Sequence, residues 1–153
     1  MKFYLETVTE ETNQNVQSVR EFPTLTKAEI AYHEDMAAAI LNDHVLYARC
    51  TVRNEHGMQN MRDEWMPATG EPSPHFLVKA LTTSEGETTK GIFRYESKDL
   101  AVSAWHSLLA QEMKDNATPR YDKILAIVED KAGNTNDDFN KYWQRNAEAD
   151  EAV

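Results

Sequence analysis

Arg53–Trp65 reads RNEHGMQNMRDEW, and Glu129–Trp143 reads EDKAGNTNDDFNKYW. Each stretch has an Asn or Asp, then a glycine three residues on, then a polar run closing on tryptophan. Asn and Asp bond their own following amides, and glycine takes the positive φ that a tight turn needs. Each stretch therefore predicts a turn after a strand. The tryptophan that ends it brings enough apolar area to clamp an otherwise polar segment to a core.

The doubling extends outward from there. Sliding the chain by 73 residues sets Phe3 on Phe76, Ala28 on Ala101, Ala31 on Ala104, Tyr32-His33 on Trp105-His106 and Ala37 on Ala110. An offset of 76 then sets Val52 on Val128 and Gly57 on Gly133, and one of 78 sets Trp65 on Trp143. An ordered series of this kind indicates internal repetition. Between the halves, MPATGEPSP (Met66–Pro74) holds three of the five prolines. Proline lacks an N–H and fixes φ, so this stretch suits neither a helix nor an inner strand. The expected organisation is a first repeat over 1–66, a linker over 67–74, a second repeat over 75–145, and an acidic flexible tail over 146–153.

Each repeat reads as ββαβ. KFYLETVT and VQSVREF are strand-like in the first. Thr26 and Glu29 then have the T-x-x-E spacing of a capping box ahead of AEIAYHEDMAAAILND, with Ile30, Met36, Ala37, Ile40 and Leu41 on one stripe. VLYARCTVRN is the third strand. The second repeat follows with HFLVKALTT, TTKGIFRYE, a helix capped by Ser97, and DKILAIVED. The expected fold class is α+β: two tandem ββαβ repeats, mostly antiparallel sheet with two main helices, forming an internal pseudo-dimer.

The 153 residues are 41% hydrophobic and 27% charged, as in ordinary packed domains, with a formal net charge of −10. That sign opposes direct nucleic-acid binding. Residues 1–66 are net −5 and residues 75–145 net −1, and neither half holds a basic patch. No apolar run approaches the roughly 18 residues of a membrane span. MKFYLETVTEE turns acidic early and has no apolar signal region, so the expected location is cytoplasmic. The lone cysteine, Cys50, excludes an internal disulfide and a cysteine-based zinc cluster, and is expected as a small buried thiol.

The repeated pairs Tyr32-His33 and Trp105-His106 are the residues from which chemistry could be built, since neutral imidazole ligates metals and transfers protons. Two histidines make an incomplete metal site, and HED is not the H-E-x-x-H pattern. They are expected at the edge of each helix's packed stripe. His44 and His56, at loop boundaries, and His75, which begins a strand beside the linker, are expected as solvated residues. Glu34-Asp35 and Asp137-Asp138 lack the spacing of a calcium loop, and no phosphate-binding glycine loop or nucleophile elbow occurs. No cofactor and no metal are expected.

The plan resembles a group of short uncharacterised proteins of Gram-positive bacteria and their prophages or mobile elements. Tyr32-His33, Val52-Arg53-Asn54-Glu55-His56-Gly57 and Trp65 carry the resemblance in the first repeat. Trp105-His106, Val128 through Gly133 and Tyr142-Trp143 carry it in the second. Glu64 stands where the family has an aromatic residue before the closing tryptophan. The resemblance implies a phage or mobile-element setting and no particular activity. The expected function is a non-enzymatic interaction or structural protein that meets another protein, as a monomer with internal pseudo-symmetry or a weak homo-oligomer. Trp65, Trp143 and Tyr142 are the candidate clamp or contact residues. The alternatives are an acidic inhibitor that mimics DNA, and a small ligand-binding or enzymatic domain using His33 and His106 with Tyr32 and Trp105.

Overall fold

In the computed structural model, which describes residues 1–145, the chain forms two compact units that meet between Pro67 and Ala68. The first unit runs β1 (Phe3–Glu11), β2 (Asn15–Phe22), α1 (Leu25–Leu41), β3 (Val45–Asn54) and β4 (Gln59–Trp65). The second runs β5 (His75–Thr82), β6 (Thr88–Tyr95), α2 (Lys98–Glu112), β7 (Lys123–Asp130) and β8 (Thr135–Gln144). Residues 66–74 have no helix or strand. The tail expected over 146–153 lies outside the described residues.

Each unit holds one antiparallel four-stranded sheet, ordered β2-β1-β3-β4 in the first and β6-β5-β7-β8 in the second. The expected three strands are thus one short in each unit. The polar stretch after the glycine turn does not merely return to the body: it pairs with the third strand along its length. The plan is ββαββ. β2 and β3 are both antiparallel to β1, hence parallel to each other, and α1 carries the chain across β1 from one to the other.

The quoted stretches form two turns of one design. The Asn54 N–H donates to the Met58 carbonyl at 2.9 Å, and the Gly57 N–H to the Asn54 carbonyl at 3.0 Å. The Asn54 side chain accepts from the amides of His56 and Met58. In the second unit Asp130 N–H bonds the Asn134 carbonyl and Gly133 N–H bonds the Asp130 carbonyl, both at 3.0 Å, while Asp130 Oδ1 accepts from Ala132 and Asn134. Gly57 and Gly133 have φ of 83° and 86°.

Register also corrects the repeat alignment. Leu5 pairs with Val52 in the first sheet, and Leu77 with Val128 in the second. Leu5 therefore corresponds to Leu77, and Phe3 to His75 rather than Phe76. The β5–β6 hairpin encloses residues 83–87 beyond its last pair, one residue more than the 11–14 enclosed by β1–β2. Because side chains alternate across a sheet, the one-residue slip moves Phe76 to the opposite face from Phe3. From β2 onward the 73-residue correspondence holds: Arg20, opposite Leu5, matches Phe93, opposite Leu77.

The helices start at matching positions. Thr24 accepts from the Lys27 amide and Ser97 from the Leu100 amide, each at 3.2 Å. Ser97 is the cap the sequence predicts. In the first unit the cap is Thr24 and not Thr26, which lies inside α1. Glu29 consequently falls a turn into the helix and is buried, so there is no capping box. The packed stripe shifts with it: Ala28, Ala31, Tyr32, Met36 and Ile40 are buried, whereas Leu41 is exposed. Alanines at the contact let α1 lie close to the sheet, where Leu5 and Val52 are fully buried.

Gly57→Ala and Gly133→Ala each force a left-handed conformation on a side chain and should each cost about 1–2 kcal/mol. Urea unfolding of the two variants measures this. No neighbour crowds either position, so a larger loss would point to something other than backbone strain.

Candidate functional site

The aromatic–histidine pairs sit mid-helix and face the sheets. His33 is 2% exposed and His106 is 0% exposed, which corrects the expectation that they lie on the stripe's edge. Adjacent helix residues are about 100° apart, and a sheet four strands wide covers a stripe broad enough for both. In α1, His33 Nε2 lies 3.2 Å from Glu29 Oε2 one turn earlier, and both side chains are buried. The Tyr32 ring meets His33 edge-on at 5.0 Å. In α2, Trp105 and His106 are 4.8 Å apart, and Phe139 of β8 closes on them at 5.4 and 6.1 Å. Trp105 Nε1 also donates to the Ala126 carbonyl in β7 at 2.9 Å. Each histidine is thus a packed member of its own unit's core.

Around this shared position the two units differ. In the first, Thr7 Oγ1 donates to Asp35 Oδ2 at 2.6 Å, Arg20 pairs with the same carboxylate, and Thr7 lies 3.7 Å from the Cys50 sulfur. Asp63 stands opposite Cys50 on β4. By register, the second unit puts Lys79 where the first has Thr7, Phe93 where it has Arg20, Ala126 where it has Cys50 and Lys141 where it has Asp63.

Burial pushes the Cys50 thiol up to about 12, and burial first, with Asp63 second, raises the Tyr32 phenol as well. A thiol held neutral is neither nucleophile nor metal ligand at ordinary pH. Among the described residues no group of three or more His, Cys, Asp or Glu is arranged to hold a metal ion.

Trp65 and Trp143 occupy the same register position, opposite Ala48 and Ile124 on the inner face. Trp65 packs against both apolar clusters of the first unit. Trp143 lies under the Arg145 guanidinium, 4.8 Å from its ring. Tyr142, by alternation, points to the opposite face and is 57% exposed. The three aromatics therefore do not form one surface: the tryptophans face the helix side of their sheets and Tyr142 faces outward.

Arg145 is a structural residue that its sequence context did not announce. Its side chain is 3% exposed. It donates to the carbonyls of Glu112 and Met113 at the end of α2 (3.0 and 3.1 Å) and to Tyr121 O at 2.9 Å. It ties the helix C-terminus and the following loop to β8, and desolvation lowers its pKa. Pro67 occupies the matching position of the first unit at the 78-residue offset.

An open cavity of about 480 Å³ near the start of α2 is lined by His75, Lys98, Asp130, Thr135 and Asp138, among others. The Asp130 carboxylate there is held low chiefly by the Asn134 amide that it accepts in the turn. This carboxylate is already used in shaping the chain.

The outer face of each sheet, opposite its helix, carries the remaining features. Val19 in β2 and Ile92 in β6 match by register and are 67% and 68% exposed. Around Ile92 the second outer face presents Phe76, Val78, Ala80, Leu125 and Ile127. The first outer face interleaves charges, with Arg53 paired to Glu6 and Arg62 to Glu64. No helix of the described residues is long and apolar enough to cross a membrane. Compared with family models, curated proteins and solved structures, the chain matches none.

Two outcomes follow from the buried groups. His33→Ala and His106→Ala each open a cavity in a packed core and should each cost about 2–4 kcal/mol, measured by urea denaturation. Cys50 has a folded pKa above its unfolded value near 9. Its neutral form favours the fold fully below pH 9, and that contribution is lost as pH rises toward 12. Cys50→Ala should flatten the decline of stability between pH 9 and 12, and native protein at pH 8 should leave the thiol unreactive to a disulfide reagent.

Proposed function

We propose that the protein is a non-enzymatic interaction protein, built as a tandem duplication of one ββαββ unit into an internal pseudo-dimer. It meets another protein through the sheet faces that its helices leave open. The observation that carries this reading is the matched pair Val19 and Ile92, two-thirds exposed at the same position of both outer faces. Branched apolar side chains left exposed on an edge strand, with charged residues beside them on the same face (Glu21 next to Val19, Lys90 and Arg94 next to Ile92), have the composition of a protein-contact site. Tyr142, exposed on the second face, adds an aromatic residue of the kind that anchors interfaces.

Duplication is supported by the shared strand order, the paired caps Thr24 and Ser97, the two matching turns and the register of Trp65 with Trp143. The sequence resemblance supports a phage or mobile-element setting, and the location proposed is the host cytoplasm, or the virion if the chain is phage-encoded. The DNA-mimic alternative wants carboxylates in rows, and the first outer face instead alternates arginine with glutamate. The histidine-centred alternative wants an accessible imidazole, and both are sealed in cores.

The test uses Val19→Glu and Ile92→Glu. Both sites are exposed, so stability should change by no more than about 0.5 kcal/mol. A protein enriched with the wild-type chain from its native cells is purified and titrated against each variant. At least a tenfold loss of affinity in one or both variants is expected. Unchanged affinity in both would remove the outer faces from the reading.

A further inference from the structure

We infer that β6 is a strand-addition edge for an extended segment of a partner protein in which acidic residues flank an apolar one. The inference rests on the outer faces being interaction surfaces and specifies how one of them is engaged. Among the described residues β6 is one of the two edge strands of the order β6-β5-β7-β8 and pairs with β5 alone. It pairs with β5 over eight consecutive residues with no register shift. It contains no proline. Its unpaired side therefore offers a straight row of N–H and C=O groups, the template on which an extended peptide adds a strand. Six of its eight residues are exposed.

The side chains state what that strand should be. Lys90, Ile92 and Arg94 alternate along β6 and share the outer face, opposite Ala80, Val78 and Phe76. A segment laid beside them meets cation, apolar residue, cation. It is complemented by acid, apolar residue, acid at the same spacing of two. β6 carries no carboxylate. The other three edges do: β2 has Glu21, β4 has Asp63 and Glu64, and β8 has Asp137 and Asp138. Arg94 pairs with the exposed Glu96 beyond the strand's end, a contact that an incoming carboxylate replaces at little cost, since such exposed pairs are weak.

The inner side sets a second condition. A Cβ on Gly91 would stand 3.1 Å from the Phe93 ring and 3.3 Å from the Lys79 side chain. Phe93 thus folds along the strand over Gly91, with the Lys79 ammonium 5.0 Å from its ring centre. This leaves Phe93 45% exposed on the edge and available to a side chain of the added strand.

A second copy of this chain is the wrong occupant. Antiparallel pairing of two β6 strands centred on Ile92 sets Lys90 of each directly opposite Arg94 of the other. Like charges directly opposite destabilise a strand pair.

The probe is a blocked octapeptide, TTETITET, titrated by fluorescence anisotropy and by amide chemical-shift mapping. The comparison peptide is TTKTITKT, and a third carries N-methyl groups on the alternate amides that would bond β6. Binding of the acidic peptide is expected with shifts concentrated in residues 88–95. The basic and the N-methylated peptides should bind at least tenfold more weakly. The double variant Lys90→Glu, Arg94→Glu, checked for an unchanged circular dichroism spectrum, should reverse the preference between the charged peptides. Equal affinity for both charges, shifts centred on another strand, or no binding at millimolar peptide would each overturn the proposal. So would a wild-type dimer that this charge-reversal variant abolishes. If the peptides fail while Ile92→Glu still loses its protein partner, strand addition is wrong and the open-face reading stands. If both fail, the reading beneath it fails too.

Discussion

One helix laid on a four-stranded antiparallel sheet is the arrangement from which the rest of each unit follows. The helix covers a single face, so the strands must alternate: Leu5, Val52 and Ala48 turn to α1 and are fully buried, while Glu6, Arg53 and Arg49 turn away. The helix is narrower than the sheet, so the flanking strands are only partly covered. On one flank Trp65 packs from β4 against the apolar clusters of its unit, and Trp143 stands at the matching inward position of β8, opposite Ile124. On the other flank β2 and β6 receive less cover. Arg20 and Phe93 fill it with long side chains that leave part of themselves in water.

The two units meet the same packing requirement with different chemistry. Where α2 uses Trp105 over Ala126, with Phe139 behind it, α1 uses the smaller Tyr32 and surrounds it with hydrogen-bonded polar groups. Polar groups in or beside a core are tolerated when they are paired: the buried Glu29 reaches His33, and at the margin the part-buried Thr7 and the exposed Arg20 share Asp35. The apolar solution needs no such pairing. It relies on area and on one indole hydrogen bond. The second unit then spends its polar contacts elsewhere, on Arg145, whose guanidinium occupies the carbonyls that α2 leaves open at its end.

Much of this was written locally in the sequence. The Asn54–Gly57 and Asp130–Gly133 turns were legible because turn chemistry is set by adjacent residues, and Ser97 announced its helix for the same reason. The fourth strands were not. QNMRDEW and TNDDFNKYW lie on edges, where neither propensity nor hydrophobicity is demanded of every residue, and only the ladder to β3 or β7 makes them strands. The frame error between Phe3 and Phe76 has a similar origin: one added hairpin residue is invisible in composition yet exchanges the faces of a strand. No adjacent residue marks the depth of the two histidines. Burial depends on what covers a position, and Glu29 beside His33 supplied the partner that made it tolerable. Arg145 could not be foreseen, since its acceptors lie 24 to 33 residues away in the chain.

Net charge, the most conspicuous property of the composition, says least about the surfaces. At physiological ionic strength charges are screened over about 8 Å, a distance of about two strand spacings. What a partner meets is therefore the local arrangement and not the total of −10. On β6, Lys90 and Arg94 present two cations and no carboxylate within one strand, while on the first outer face Arg53 and Glu6 neutralise each other in place. The strand is basic where the protein is acidic. This sets electrostatic register at the edge and attraction from a distance against each other: an acidic segment is repelled by the whole molecule and held by one strand. Such a site selects by short-range fit, and raising ionic strength weakens the long-range repulsion more than the close pairs. Binding at β6 should consequently depend on salt far less steeply than the charge of either partner would suggest.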